Sequence, residues 1–331
     1  MQVPKQYPVS VAEVVRARSI VSQYVRRSQL TYYEGLSRAI GAEVYVKHEN
    51  HNPTGTFKIR GGVNLMHHLK RAGVPGVITY STGNHGLSIA TAARWLGMQA
   101  TIVVPEGANP AKVRAIREAG AELIEAGKTF EDCAVTVERL CQERSLHYAH
   151  PANEPHLING VGTGFLEVVE ALPDIDVMFV PIGAGSELAS AVTTLRALRP
   201  SAQIIAVQAQ ASPAAYESWK QKRICQMPNK SFAGGFATGQ AYELPFSIYK
   251  DELDDFVLLT EDELRDGMGA ALYYTHNLAE GAGAATMAAA WKVRDRLQGK
   301  KVALQMSGGN ASTGEIVEAT QRETFSKGFV D

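Results

Sequence analysis

The 331-residue chain sets 33 lysines and arginines against 34 aspartates and glutamates, a net charge of −1. That balance offers no field for DNA, RNA or an anionic membrane and points to a small-molecule ligand. The opening MQVPKQYPVS lacks an apolar h-region, and no stretch approaches the ~18 apolar residues of a membrane span, so a cytoplasmic protein is expected.

Along the chain, short β-branched runs alternate with longer amphipathic segments. A strand is predicted over 43–48, then a turn-rich stretch runs into a helix that begins near Lys58. Strands over 76–80, 100–105 and 121–125 follow, with helices over 86–96, 110–119 and 129–143. A helix over 158–171 leads to strands over 176–181 and 202–208 around a helix over 187–198. Residues 209–253 read as irregular. Last come strands over 256–260 and 301–306, with helices over 261–275, 283–297 and 313–325. Strands separated by helices of this length imply βαβ units and parallel sheet, hence an α/β fold. Pro151 and Pro155 interrupt helical continuation, so a boundary is expected near His150-Pro151. Cys133, Cys141 and Cys225 form no CxxC pair, and buried or half-buried thiols are expected.

Four segments carry chemistry. In Asn52-Pro53-Thr54-Gly55-Thr56-Phe57-Lys58, an amine follows an aromatic residue and a flexible approach. An amine attacks an aldehyde only when neutral, so burial must lower its pKa; the plainer alternative is a solvated lysine at a helix start. Gly183-Ala184-Gly185-Ser186 follows an apolar strand and opens a helix, where bare amides suit a phosphate. A dinucleotide fingerprint is the rival, but Leu188 replaces its third glycine and the next strand ends at Gln208 instead of an acid. A purely structural tight turn is the other alternative. Ser81-Thr82-Gly83-Asn84-His85-Gly86, between strand and helix, could hold a carboxylate or merely cap the helix. Ser307, before Gly308-Gly309-Asn310, ends the last strand with a hydroxyl. Facing a pyridine nitrogen, such a group leaves it unprotonated, which favours expulsion of a β-substituent; alternatively it begins a simple turn. His147, His150 and His156 match no zinc spacing, and surface or hinge positions are expected for them.

Taken in order and spacing, these segments resemble fold-type II pyridoxal phosphate (PLP) enzymes, specifically the threonine/serine dehydratase and serine racemase family. The resemblance runs from about Ser10 to Asn310 and includes Lys47-His48-Glu49-Asn50, Val104-Pro105-Glu106, Gly162-Thr163 and Glu280-Gly281-Ala282-Gly283-Ala284. It implies a tryptophan synthase β-like α/β fold with two domains, each built on a twisted, mostly parallel sheet: a large PLP domain over 1–72 and 152–331, and a small mobile one over 73–151. It further implies that Lys58 bonds the cofactor aldehyde and later takes the substrate Cα proton, while Phe57 packs on the ring. Asn84 would meet the 3′-oxygen and Ser307 the ring nitrogen. The amides of Gly183, Ala184, Gly185, Ser186 and Glu187 would cradle the phosphate, which in such enzymes protonates the departing hydroxyl. Ser81, Thr82, Gly83, Asn84 and His85 would hold the substrate carboxylate. The implied reaction is β-elimination of a β-hydroxy amino acid to a 2-oxo acid and ammonia, in a homodimer without the regulatory domain of the feedback-inhibited enzymes.

Departures from the family pattern leave alternatives. Ala184, Ser186 and the acidic Glu187 stand where glycines and an apolar residue are usual, so Glu187 must point away from the phosphate or be neutralised. Ala233-Gly234-Gly235 replaces Ala-Asp-Gly. These changes suggest a divergent branch, akin to the hydroxyectoine-utilisation dehydratases. A serine racemase-type activity is a second alternative, although Thr82 replaces the serine that would serve as its second proton-handling group. A non-catalytic nucleotide-binding module is the alternative from another class. No metal site is expected: Gln208 and Ala214 stand where relatives activated by divalent metals place acids.

Overall fold

The computed structural model describes residues 8–108, 110–128 and 130–329. Its ten strands are β1 (Leu30–Tyr32), β2 (Glu43–His48), β3 (Gly76–Tyr80), β4 (Gln99–Val104), β5 (Glu122–Glu125), β6 (His147–Tyr148), β7 (Val177–Pro181), β8 (Gln203–Ala209), β9 (Asp255–Leu259) and β10 (Lys301–Met306). They form a six-stranded sheet in the order β1-β2-β10-β7-β8-β9 and a four-stranded sheet in the order β5-β4-β3-β6. The chain starts in the larger sheet, leaves after the helix Lys58–Arg71, builds the smaller sheet, and returns through the helix Pro155–Ala171.

The larger sheet is apolar on both faces, as a parallel sheet covered by helices must be. Side-chain alternation divides β7 between two cores. Met178 and Val180 pack with Ile59, Phe165 and Leu188 on one side. Val177 and Phe179 pack with Met268, Ala285 and Ala289 on the other. The first core continues into the smaller sheet through Val77, Ile102 and Ile89, so the two sheets share a hydrophobic floor. Cys133 joins Ile78, Val103 and Val137 on the smaller sheet's other face. Cys133 and Cys225 are buried, Cys141 is half-buried, and all three are free thiols.

Every predicted strand forms, within one residue at either end. Two strands escape the sequence pattern. β1, which pairs antiparallel with β2, has three residues, and β6 has two, too few to show alternation. Helices Val11–Val21 and Glu34–Ile40 also go unanticipated, although Ser10 caps the first through the Glu13 amide. The irregular reading of 209–253 needs correction: it contains helices Ala214–Gln221 and Glu243–Tyr249. The helix expected over 283–297 runs Gly281–Lys292 and gives way to a 3-10 turn at Arg294–Arg296. That expected over 313–325 breaks into Thr313–Thr320 and Glu323–Lys327. At the break Arg322 is extended (φ −78°, ψ 145°), its guanidinium held by Asp262 and Asp266 of the helix Glu261–Thr275. The predicted helix start at Thr129 lies outside the described residues; the helix is described from Phe130. Among the described residues, no helix is long and apolar enough to cross a membrane.

Candidate active site

The C-terminal ends of β7 and β10 and the loop before Lys58 converge on one point. Gly55, at φ +70°, turns the Asn52–Thr56 loop back on itself. The loop is then stitched to the end of β10: the Phe57 amide and the Thr56 hydroxyl donate to the Ser307 carbonyl at 3.0 and 3.1 Å, and the Gly309 amide donates to Gly55 O at 2.9 Å. This fixes Lys58 as the first residue of its helix. Its Nζ donates to Ser186 Oγ at 2.9 Å and lies 4.9 Å from the centre of the Phe57 ring. Burial pushes the amine down to about 8, against the opposing pull of the Glu187 charge. The solvated-lysine alternative therefore does not hold.

Ser186 opens the helix Ser186–Leu198 behind Gly185, whose φ of +98° is a left-handed conformation. No side chain caps this helix, so its first amides remain available to an anion. A Cβ on Gly183 would lie 1.9 Å from the Gly235 carbonyl oxygen, so only glycine fits there. Gly235 is confined by a different contact, since a Cβ there would lie 2.6 Å from the Ala282 Cβ. Glu187 is turned away into the interior, where Gln305 Nε2 donates to its Oε1 at 3.0 Å. Burial raises its carboxyl well above the ordinary range, in spite of Gln305 and Lys58. The acid in the glycine loop is thus handled inside the fold. Gln305 stands two residues before Ser307; a lone polar residue in an apolar strand was the available signal, and the sequence reading passed it over.

Ser307 is buried, and among the described residues its hydroxyl has no protein hydrogen-bond partner. Asn84 opens the helix Asn84–Leu96 and sits in a relay: Asn310 Nδ2 donates to its Oδ1 at 2.8 Å, and its Nδ2 donates to Glu280 Oε1 at 2.6 Å. One Asn84 amide hydrogen remains for another acceptor. Glu280 supports Asn84; the sequence offered it only as part of a family-like segment, with no role. Ser88, whose hydroxyl donates to the Lys58 carbonyl at 2.7 Å, supports the site without having been singled out in the sequence. Ser81 Oγ accepts from the Gly83 amide at 3.2 Å, and none of Ser81, Thr82 or Asn84 caps the helix through its side chain. Simple capping therefore does not account for the loop. His85 donates from Nε2 to Ala149 O at 2.8 Å, so its ring is committed to the interior and the loop is left its backbone amide. Burial, with the Lys58 charge, pushes that ring down to about 3, so it is a neutral donor.

The three clustered histidines diverge. His147 pairs with Glu154 at 2.7 Å, His156 stacks on His68, and His150 Nδ1 accepts the Ala152 and Asn153 amides at 2.9 Å. Gln208 Oε1 accepts the Tyr216 amide at 3.1 Å.

A half-buried amine of lowered pKa, a flat aromatic neighbour, an uncapped helix start lined by glycine and an unpartnered hydroxyl fit PLP. Residues 21–308 match the family described as pyridoxal-phosphate dependent enzyme. The chain belongs to this family. PLP is its cofactor, its two-sheet architecture is that of fold-type II PLP enzymes, and the nucleotide-binding alternative falls away. An L-threonine ammonia-lyase of Thermotoga maritima is 34% identical over 310 residues, covering 93% of this chain and 77% of the relative. A putative threonine dehydratase of Sinorhizobium fredii is 33% identical over 323 residues, covering 96% and 97%. Among solved structures, maize serine racemase superposes with a TM-score of 0.89 at 26% identity, covering 95% of this chain and 97% of that one. The processed form of threonine deaminase isoform 2 from Solanum lycopersicum gives 0.89 at 27%, covering 97% and 91%.

Proposed function

We propose that this PLP-dependent ammonia-lyase acts on a β-hydroxy amino acid such as threonine or serine, releasing a 2-oxo acid and ammonia by β-elimination. The observation that carries the reading is the position of Lys58 Nζ, 2.9 Å from Ser186 Oγ at the mouth of the uncapped helix. When bound, PLP supplies an aldehyde for the substrate amine and an electron sink that acidifies Cα. The amides of Gly183 to Glu187 would hold its phosphate, Phe57 would pack against the ring, and Asn84 would offer its spare hydrogen to the 3′-oxygen. Ser307 would meet the ring nitrogen with a neutral hydroxyl, which would keep the sink weak and favour loss of a β-hydroxyl over other fates of Cα. Lys58 Nζ, pushed down to about 8, takes the Cα proton as a general base near its own pKa. The Ser81–His85 loop presents the first amides of its helix to the substrate carboxylate.

The unit over 73–151, moving against that over 1–72 and 152–331, carries this loop toward the substrate and excludes water. We read the enzyme as a cytoplasmic homodimer.

Racemisation is a second reading, favoured by the likeness to maize serine racemase. It requires a proton-handling group on each face of Cα, and Thr82 is the residue available for the second. Its branched Cβ restricts χ1 and crowds the approach, so elimination dominates. Incubating each enantiomer of serine and threonine with the holoenzyme, then quantifying ammonia, 2-oxo acid and both enantiomers, tests both readings. Inversion outpacing ammonia release several-fold would overturn the assignment.

A further inference from the structure

The side chains of Asn310, Asn84 and Glu280 form a relay whose direction is fixed at both ends. Asn310 Nδ2 donates to the Thr54 carbonyl at 2.9 Å and to Asn84 Oδ1 at 2.8 Å, and Asn84 Nδ2 donates to Glu280 Oε1 at 2.6 Å. A backbone carbonyl and an ionised carboxylate only accept, so each end must be met by an amide nitrogen. Asn310 thereby commits both of its hydrogens, and Asn84 has one orientation left: oxygen toward Asn310, nitrogen toward Glu280. The second hydrogen on that nitrogen is the one read above as meeting the cofactor 3′-oxygen.

The relay crosses the molecule. Asn84 opens the helix that follows β3 of the smaller sheet, whereas Thr54, Glu280 and Asn310 lie in loops around β2 and β10 of the larger. Glycines make room for it. A Cβ on Gly55 would lie 2.5 Å from Asn310 Oδ1, and one on Gly308 would lie 2.4 Å from Glu280 Oε1. The Glu280 amide donates to the Gly308 carbonyl at 3.1 Å, which seats this residue against the turn that follows Ser307. All three relay side chains are half-buried, and the bond to the carboxylate is of the short, charge-assisted kind.

Resting on the reading of Asn84 as the partner of the 3′-oxygen, we propose that Glu280 and Asn310 are positioning residues for cofactor binding. Together they clasp Asn84 across the two sheets and present its remaining hydrogen to PLP. Both act through Asn84. Because the clasp joins a loop of one unit to two loops of the other, that hydrogen reaches the cofactor only while the units are seated together.

The dissociation constant of PLP tests this. Holoenzyme is stripped of cofactor and refilled across a concentration series, and the visible band of bound PLP is read. Asn84→Ala should raise the constant about tenfold, the scale of one hydrogen bond to a charged oxygen. Glu280→Ala should raise it by a similar factor in the parent but by less than about twofold in the Asn84→Ala background, since coupled residues are not additive. Glu280→Gln, whose Oε1 still accepts from Asn84, should restore most of the parental affinity. Asn310→Asp keeps the shape but donates to neither Thr54 nor Asn84, and should weaken PLP at least as much as Glu280→Ala. Equal losses from Glu280→Ala in both backgrounds, or a glutamine no better than alanine, overturn the proposal. If Asn84→Ala leaves the constant unchanged, the 3′-oxygen reading fails with it. If Asn84→Ala weakens PLP while Glu280→Ala and Asn310→Asp do not, the proposal fails alone. Should Glu280→Ala not fold, Asn310→Asp in the parent and in the Asn84→Ala background carries the same test.

Discussion

Two buried clusters of charge lie within a few residues of each other and are built on opposite principles. In the first, Lys47, Glu49 and Arg60 are almost fully buried and every oxygen is answered. Glu49 accepts from Ser28 and Arg60 on one oxygen, at 2.6 and 3.0 Å, and from Asn52 and Arg60 on the other, at 2.6 and 2.7 Å. Arg60 also reaches Glu167 at 2.8 and 2.9 Å, where Lys47 joins at 2.6 Å. Burial alone would push the Glu49 carboxyl up, but Arg60 and Lys47 hold it at about 2. In the second cluster, Lys58 has one hydroxyl partner and Glu187 one amide, and burial drives both toward neutrality. The closed cluster holds the Asn52–Thr56 loop in place through Asn52, and the open one leaves an amine with a lowered pKa. Burial depresses the Lys58 pKa because its surroundings do not compensate the charge; around Arg60 they do.

Breaking each cluster should therefore give different failures. Lys58→Ala should lose elimination by at least about 10³-fold, roughly 4 kcal/mol of barrier, while its melting temperature stays within a few degrees of the parent. Steady-state kinetics alongside thermal unfolding checks this, and substantial residual turnover would move the base elsewhere. Reduction of the holoenzyme with borohydride and peptide mapping should find the cofactor on Lys58. Glu49→Ala should do the reverse and destabilise the fold by about 3 kcal/mol, because it leaves the buried Arg60 guanidinium with Glu167 alone and strips the carboxylate from its Nε. Denaturant unfolding measures that cost, and a loss under about 1 kcal/mol would show that the network is not a structural keystone.

Acid should attack both regions through buried neutral histidines. His48, beside the closed cluster, is pushed down to about 4 by burial and by His51, and His85, beside the open one, to about 3 by burial and by Lys58. Both folded values lie below the unfolded value near 6.5, so their stabilisation is complete above about pH 6.5 and is lost as pH falls toward the folded values. Stability should drop by on the order of 2 kcal/mol between about pH 6.5 and 5, and His85→Asn should remove the share belonging to the active site. A flat profile over that range would contradict the neutral assignment. The smallest effect concerns Glu187. The rate at which cofactor-free protein captures PLP should rise with pH through about 8, following the neutral fraction of Lys58. Since the Glu187 charge raises the Lys58 pKa, Glu187→Gln should move that midpoint down, by on the order of one unit or less. An upward move would show that the pair is not coupled as described.

The sequence by itself determined the parts that are local. Lys58 after its Thr54-Gly55-Thr56 approach, the glycine cup at 183–185 and the Ser81–His85 loop all sit where a strand or turn meets a helix, and those junctions are written in consecutive residues. The parallel strands were legible because burial on both faces demands unbroken apolar runs. Tertiary structure alone decided what crosses long distances in the chain. Glu187 reads as a liability in a phosphate loop until Gln305, 118 residues away, is seen to receive it. Asn84 gains its orientation from Asn310 and Glu280, more than halfway along the chain, and Tyr242 meets the His150 ring only because the fold brings them together. β1 and β6 carry too few residues for a pattern and exist because β2 and β3 offer them free edges. Backbone preference is set by neighbours along the chain, whereas the charge state and reach of a side chain are set by whatever the fold packs against it.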